Sequence, residues 1–130
     1  MIYNSIYMTF NKISDHLGCF TVGIAGAGGL GSNCAVALAR SGVGKLIIAD
    51  FDIVDISNLN RQYFFSDQVG MFKVDALKHN INRIDKSIGV TVYNIKLSPP
   101  FIKEIFNAHW QDIHINIRYR YPVFVQVGYH

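Results

Sequence analysis

The chain has 130 residues, of which 50% are hydrophobic and 16% are charged, and its formal net charge is +3. This composition fits one domain with a packed core and excludes a wholly disordered chain. The small charge, without any dense run of Lys or Arg, argues against nucleic-acid binding. The sequence has no apolar run near the roughly 20 residues that span a bilayer, and no signal-peptide pattern. We expect a cytoplasmic protein that binds neither nucleic acid nor membrane.

The first half of the chain alternates apolar runs with helical patterns. Residues 1–18 are mixed and aromatic, with a spacing that suits one face of a short helix. Phe20 to Ala25 is an apolar run before glycine, which predicts a buried parallel strand. Leu30 to Ser41 is rich in alanine and predicts a helix, and Lys45 to Asp50 predicts a second buried strand. Phe51 to Ser66 is polar and irregular, which indicates a loop.

The second half continues the alternation. Gly70 to Ile84 carries apolar residues at steps of three and four, which predicts a helix, and Gly89 to Leu97 alternates like a strand. Pro99 and Pro100 open a short helix that runs to about residue 107. The order β-α-β-α-β-α predicts an α/β fold: a Rossmann-like, doubly wound and mainly parallel sheet with flanking helices. Residues 108–130 predict one or two strands without an intervening helix.

A glycine motif, GAGGLGSN, occupies the junction between the first strand and the first helix. Gly26, Gly28 and Gly31 fit GxGxxG, in which glycine permits a tight turn and the helix N-terminus presents free N–H groups to phosphate. Asp50, at the end of the next strand, is placed to accept hydrogen bonds from ribose hydroxyls. The pattern predicts nucleotide binding. The alternative is a close helix–sheet packing turn without a ligand.

A second motif, DFDIVDISNLNRQ, distinguishes between nucleotides that the glycine motif alone would accept. An NAD domain has no need of Asn58, Arg61, Gln62 and Lys73 beyond its second strand. A site for phosphoryl or adenylyl transfer needs cations there, because the transition state spreads negative charge over phosphate oxygens. The motif therefore favours ATP.

Both cations also have an ordinary explanation. Arg61 would be a surface cation if it paired with Asp52 or Asp55, and Lys73 would be one if it were solvated in the first turn of its helix. A lysine at that end is unfavourable for the helix dipole, so its presence favours a bound anion. Cys19 and Cys34 lack a CxxC pattern and are expected to be small buried side chains in a reducing compartment.

Together with the downstream FKVDALKHNINRI, these motifs resemble the adenylation domain of the ThiF/MoeB/E1 superfamily, which activates ubiquitin-like proteins and sulfur carriers. The resemblance covers Thr21 to Leu97 and is nearest to the short ThiF-type proteins of bacterial thiamine biosynthesis. It implies a Rossmann-like domain that binds ATP with Mg²⁺. The reaction implied is attack by the C-terminal carboxylate of a Gly-Gly-ended carrier on the α-phosphate.

The resemblance also assigns site residues and partners. The residues that it places at the nucleotide are Gly26, Gly28, Gly29, Gly31, Asp50, Asn58, Arg61, Gln62 and Lys73, and Asp52 in the same loop is a further candidate for a contact there. Within this set, Arg61 and Lys73 are expected to be catalytic, by neutralising phosphate charge. The implied partners are a ThiS-like ubiquitin-like sulfur carrier and a second copy of the chain in a homodimer.

The end of the chain departs from the family pattern. Family members continue into a strand that ends in an aspartate, thought to hold magnesium, whereas here Asp112 is the only acid after Asn107. We therefore expect residues 1–107 to be the N-terminal part of the adenylation domain, with 108–130 a divergent tail on an apparently truncated chain. The histidines of the tail suggest ordinary strand residues more than a metal site.

Two other functions remain open from the sequence. One is an NAD-dependent oxidoreductase, in which Arg61 would have no role. The other is a non-catalytic, nucleotide-binding fragment of an adenylating enzyme, because the magnesium acid and the groove for the carrier are not evident.

Overall fold

The computed structural model describes residues 17–96 in full and the backbone of 113–117 and 123–129. Within these ranges the chain forms five strands, two α-helices and two short 3₁₀ turns. In chain order these are β1 (Phe20–Ala25), α1 (Gly29–Ser41), β2 (Lys45–Asp50), the turns Ile56–Asn58 and Ser66–Gln68, α2 (Lys73–Ile84), β3 (Gly89–Asn94), β4 (Ile113–Ile117) and β5 (Val123–Tyr129).

The five strands form one sheet in the order β3-β2-β1-β5-β4. β1 pairs with β2 and β2 with β3 in parallel, as the alternation of strands and helices predicted. α1 contacts β1, α2 contacts β2 and β3, and the two helices contact each other, so both cover one face of the parallel part. The Rossmann-like α/β fold is confirmed for this half of the sheet.

The other half of the sheet runs differently. β5 lies against β1 in the antiparallel direction, with Ala25 opposite Phe124, and β4 pairs antiparallel with β5. The residues after 107 thus form two strands where the structure describes them. Asp112 and the predicted helices within 1–18 and from Pro99 to Asn107 lie outside the described residues, and the tail's relation to the family stays a prediction.

Most predicted boundaries agree with the structure, and the clearest differences are at the start of α2 and the end of β3. This helix begins at Lys73 and not at Gly70, because Gly70 has a φ of 92° and Phe72 forms an antiparallel bridge with Ile53. Extended backbone up to Phe72 prevents an earlier helix start. β3 likewise ends at Asn94, before the predicted Leu97.

The core lies between the parallel strands and the two helices. Ile24, Leu46 and Ile48 of the strands and Leu77 and Ile81 of α2 are fully buried, and burying each such side chain contributes about 1.5–3 kcal/mol. The buried face of α1 carries alanines in place of larger residues, so this helix packs close to the sheet. Cys19 is exposed and Cys34 is half-buried, so the expectation of two buried cysteines is wrong. Among the described residues, no helix combines the length and apolarity needed to cross a bilayer.

Candidate functional site: the glycine turn and the arginine loop

The glycine turn, Gly26 to Gly31, begins where β1 ends. Gly26 has a φ of 105° and its N–H donates to the Ala49 oxygen at 2.7 Å, which ties the turn to β2. A Cβ on Gly31 would lie 1.9 Å from the Gly26 oxygen. Since no side chain fits there, the start of α1 is held directly against the turn.

The first turn of α1 keeps its N–H groups free. Helix starts leave several N–H groups without an intrahelical partner. Ser32 N donates to the Gly28 oxygen at 2.9 Å, but Gly29, Leu30 and Gly31 N–H find no acceptor within residues 17–96. The helix start has neither a side-chain cap nor an acidic residue in its first turn. These donors, at the positive end of the helix dipole, can bind an anion.

Asp50 joins the glycine turn to the segment that follows β2. Its Oδ2 accepts a hydrogen bond from Ala27 N at 2.7 Å, and its Oδ1 accepts one from Asp52 N at 2.7 Å. Each carboxylate oxygen retains a further lone pair. The acid therefore positions the turn and can still accept a hydroxyl donor. Its predicted contact with ribose stays a prediction.

The segment from Phe51 to Phe65, here called the arginine loop, lies beside the turn through two polar residues of α1. Asn33 Nδ2 donates to the Arg61 oxygen at 2.9 Å and to the Gly29 oxygen at 2.6 Å. Ser32, which is fully buried, accepts a hydrogen bond from Tyr63 N at 3.0 Å. The last two residues of GAGGLGSN thus connect the two motifs, a role that the sequence did not reveal.

Two predicted site residues lie against the turn itself. Arg61 Cγ is 3.9 Å from the position that a Cβ on Gly29 would take, and Gln62 Nε2 is 3.8 Å from the corresponding position on Gly28. Gln62 is 9% exposed, and its Oε1 is buried without a hydrogen-bond partner among the described residues. A buried amide with an unpaired oxygen costs about 1–3 kcal/mol, so Gln62 is held beside the turn at some cost to stability.

The guanidinium of Arg61 does not form the surface ion pair that was the alternative. Its Nη1 donates to the Ser57 oxygen and to Asn60 Oδ1, both at 3.0 Å. No carboxylate within residues 17–96 pairs with it, and its Nε and Nη2 donate to no acceptor there. Arg61 is therefore exposed, with its Cγ beside the turn and guanidinium donors to spare.

Asn58 has a structural role in the arginine loop. Its Oδ1 accepts from Asp55 N at 2.9 Å, which closes a capping box around the first 3₁₀ turn. The Asp55 carboxylate accepts from the hydroxyl and the N–H of Ser57, and these bonds, with a smaller effect of the nearby Lys73 charge, lower the pKa of Asp55. The predicted contact of Asn58 with phosphate stays a prediction.

Lys73 is buried, so the alternative of a solvated lysine is wrong. It is 6% exposed, and its Nζ lies 3.7 Å from Asp52 Oδ2. Its backbone N–H donates to the Asp52 oxygen at 2.9 Å. Lys73 thus reaches the turn through a chain of contacts from Asp52 to Asp50 to Ala27, whereas Arg61 and Gln62 lie directly beside it.

A buried amide pair, which the sequence reasoning missed, holds the far end of the arginine loop. Gln68 Nε2 donates to Asn80 Oδ1 at 2.7 Å, and Asn80 Nδ2 donates to Gln68 Oε1 at 3.1 Å. The same pair binds the Tyr63 oxygen and the Phe65 N–H. The available signal was Asn80 itself, a polar residue beside Ile81 on the apolar face of α2.

The donor set fits a nucleotide better than it fits a protein-held metal ion. Free backbone N–H groups, the Gln62 amide and the exposed Arg61 guanidinium all donate to oxygen. Among the residues that the structure describes, no three His, Cys, Asp or Glu side chains come together as a metal site. Magnesium is often bound through phosphates with only one or two carboxylates, so it would enter together with a polyphosphate.

Comparison with known protein families matches residues 6–115 to the ThiF family. This chain belongs to the ThiF family. The superfamily that the two motifs indicated is therefore confirmed. The match ends within β4, so it includes part of the segment that the sequence placed in a divergent tail.

Curated and solved relatives agree with this family. Ubiquitin-like modifier-activating enzyme 5 of Xenopus laevis is 39% identical over 79 residues, which are 61% of this chain and 20% of that protein. E. coli tRNA N6-threonylcarbamoyladenosine dehydratase, TcdA, solved with ATP, has a TM-score of 0.71 and 29% identity, covering 78% of this chain and 42% of that one. E. coli MccB, solved with AMPCPP and MccA, has a TM-score of 0.66 and 31% identity over 71% of this chain and 28% of that one. The chain thus spans about a fifth of the curated relative.

Proposed function

We propose that this chain is the ATP-binding part of an adenylyltransferase that activates the C-terminal carboxylate of a ubiquitin-like carrier ending in Gly-Gly. The observation that carries the proposal is that backbone N–H donors, the Gln62 amide and the stem of the Arg61 side chain lie together at one turn. Within residues 17–96, the N–H groups of Gly29, Leu30 and Gly31 find no acceptor, and Arg61 Cγ and Gln62 Nε2 lie beside Gly29 and Gly28. TcdA, a relative with 29% identity, was solved with ATP, which supports ATP as the nucleotide.

The charges suit a triphosphate that enters as its magnesium complex. The helix start offers N–H donors without a competing acidic residue in the first turn of α1. Arg61 would bind phosphate oxygens with its unused Nε and Nη2, and Gln62 Nε2 would orient an oxygen without adding charge. Lys73, buried beside Asp52, would add positive potential near the same end of the sheet.

The proposed reaction is an in-line displacement at the α-phosphorus. A carboxylate oxygen of the carrier forms a bond to phosphorus, the bond to the pyrophosphate oxygen breaks, and acyl-adenylate and pyrophosphate result. No protein nucleophile is needed, so positioning and charge neutralisation supply the catalysis. Arg61 and Lys73 are the proposed catalytic groups, because negative charge grows on the leaving pyrophosphate.

Within this class of substrates we propose a sulfur carrier of the kind used in the synthesis of the thiamine thiazole. The short ThiF-type resemblance supports it, while the curated relative is named for a ubiquitin-like modifier. A homodimer and a cytoplasmic location complete the proposal. Carriers of both kinds should therefore be compared in one assay.

A second function is favoured by the strand beside β1. The family resemblance leads one to expect a strand that ends in an aspartate, but β5 runs antiparallel and its sequence, VFVQVGY, has no acid. Such a chain would bind nucleotide without transferring the adenylyl group. By contrast, no feature of the site favours hydride transfer from NAD.

Exchange of labelled pyrophosphate into ATP separates these functions. The adenylyltransferase should show exchange that depends on a Gly-Gly-ended carrier, and Arg61→Ala should lower it by about 100-fold, as expected for loss of one transition-state donor. Arg83→Ala, an exposed arginine on α2, is the matched control and should keep the exchange rate. ATP binding without carrier-dependent exchange would establish the second function instead.

A further inference from the structure

The side chain of Asn33 connects two segments that are far apart in sequence. Its Nδ2 has two hydrogens, and the structure gives an acceptor to each: the Gly29 oxygen at 2.6 Å and the Arg61 oxygen at 2.9 Å. The first bond is local to the helix. The second joins α1 to the residue that carries the exposed guanidinium, 28 positions along the chain.

We infer that Asn33 is a positioning residue for the nucleotide site, which holds the backbone of Arg61 against the glycine turn. The inference rests on the proposed function, in which Arg61 binds phosphate. Asn33 itself need not touch the nucleotide. Its hydrogen bond to the Arg61 carbonyl oxygen fixes the position of the Arg61 backbone, from which the guanidinium side chain extends.

The contacts of Arg61 show why this connection matters. The guanidinium bonds to Ser57 and Asn60, which belong to the same arginine loop and would move with it. Its backbone N–H donates to the Asn58 oxygen, again within the loop. Among the described residues, the hydrogen bond from Asn33 is the one that ties Arg61 to another element.

A second tie lies two residues further along and keeps the loop folded when the first is removed. Tyr63 N donates to the hydroxyl of buried Ser32. The buried pair of Gln68 and Asn80 then binds the oxygen of Tyr63. Loss of the Asn33 amide should therefore loosen Arg61 relative to the turn without unfolding the loop. Because Asn33 is exposed, its replacement leaves no cavity.

The test is a double-mutant cycle on the dissociation constant of Mg–ATP, measured by titration calorimetry on the full chain. Asn33→Ala should raise Kd about threefold to tenfold, the effect of one exposed hydrogen bond that orients a ligand-binding group. Asn33→Leu, which keeps a side chain of similar size but has no donor, should raise Kd by a similar factor. In the Arg61→Ala background, Asn33→Ala should raise Kd no further, because its effect acts through the guanidinium.

Asn82→Ala is the matched control, since Asn82 is an exposed asparagine on α2 whose side chain forms no hydrogen bond within residues 17–96, and it should leave Kd unchanged. If Asn33→Ala binds as tightly as wild type, or weakens binding equally with and without Arg61, the positioning role is wrong while the proposed function stands. If Arg61→Ala itself keeps the wild-type Kd, the proposed phosphate role of Arg61 fails, and the inference with it.

Discussion

The two halves of the candidate site are built by different means. Steric exclusion sets the glycine turn: Gly31 can carry no side chain, and the donors are backbone N–H groups. Side-chain hydrogen bonds hold the arginine loop: Ser32 and Asn33 at its middle, and the pair of Gln68 and Asn80 at its end. One substitution in the turn should therefore cause a large loss of stability, whereas single substitutions in the loop should each cause a smaller loss.

The largest effect is expected at Gly31. A Cβ there would lie 1.9 Å from a backbone oxygen that cannot move without opening the turn, so Gly31→Ala should cost about 3 kcal/mol in unfolding free energy. Chemical denaturation measures this cost. Gly89→Ala is the control, since the nearest atom to its Cβ would be at 3.5 Å. Equal stability of the two variants would show that sterics do not define the turn.

The next largest effect is expected at the buried amide pair. Asn80→Leu leaves the amide of Gln68 without two of its partners, and should cost about 1–3 kcal/mol. Changing both residues, as Gln68→Met with Asn80→Leu, should cost less than the sum of the single changes, because neither side-chain amide is then left unpaired. The groups that lose partners are then backbone groups, the Phe65 N–H and the oxygens of Tyr63 and Ala76. Strict additivity in urea denaturation would contradict the idea that the two amides act as one unit.

A substitution at Gln62 should affect protein stability and ATP binding differently. Its Oε1 is buried and has no partner in the described part of the chain, so Gln62→Leu should keep the unfolding free energy or raise it by about 1 kcal/mol. The same change removes the Nε2 donor beside Gly28 and should weaken ATP binding. Thermal unfolding and an ATP titration on one preparation test both effects. A variant that is less stable but binds equally well would assign Gln62 to the core alone.

The smallest effect concerns the Asp55 cap of the arginine loop. Hydrogen bonds from Ser57 hold the pKa of Asp55 below the ordinary value of an aspartate. A carboxyl with a lowered folded pKa contributes stability that is present above the unfolded value and is lost as the pH falls through the folded value. The stability difference between wild type and Asp55→Ala should therefore shrink below about pH 4. Hydrogen exchange of the Ser57 amide measures this change locally. A stability difference between wild type and Asp55→Ala that does not vary with pH would contradict the role given to the Asp55 carboxylate.

The same contrast explains what the sequence could predict. Continuous apolar runs bounded by glycine placed β1 and β2 at their observed bounds, and the glycine pattern placed the turn. The start of α2 was predicted too early, since its periodicity gave no sign of the bridge between Ile53 and Phe72. Alternation in the tail indicated strands but carries no information about direction, so the antiparallel course of β5 was not predictable.

Polar contacts within the site were the least accessible to sequence reasoning. Arg61 and Gln62 were placed at the turn through the family motif, and they lie beside it. Gln68 and Asn33 appear in the sequence as ordinary polar residues, because a long-range hydrogen bond leaves no periodic pattern. Their roles become visible only when the two segments are seen side by side.

The central claim is that the free N–H groups of the glycine turn and the donors of the arginine loop bind one triphosphate. An NMR titration of the ¹⁵N-labelled chain with ATP tests it most directly. The amide signals of Gly29, Leu30 and Gly31 and the side-chain NH₂ of Gln62 should shift together with a single dissociation constant. ATP-dependent shifts elsewhere, with these four groups unmoved, would contradict the account.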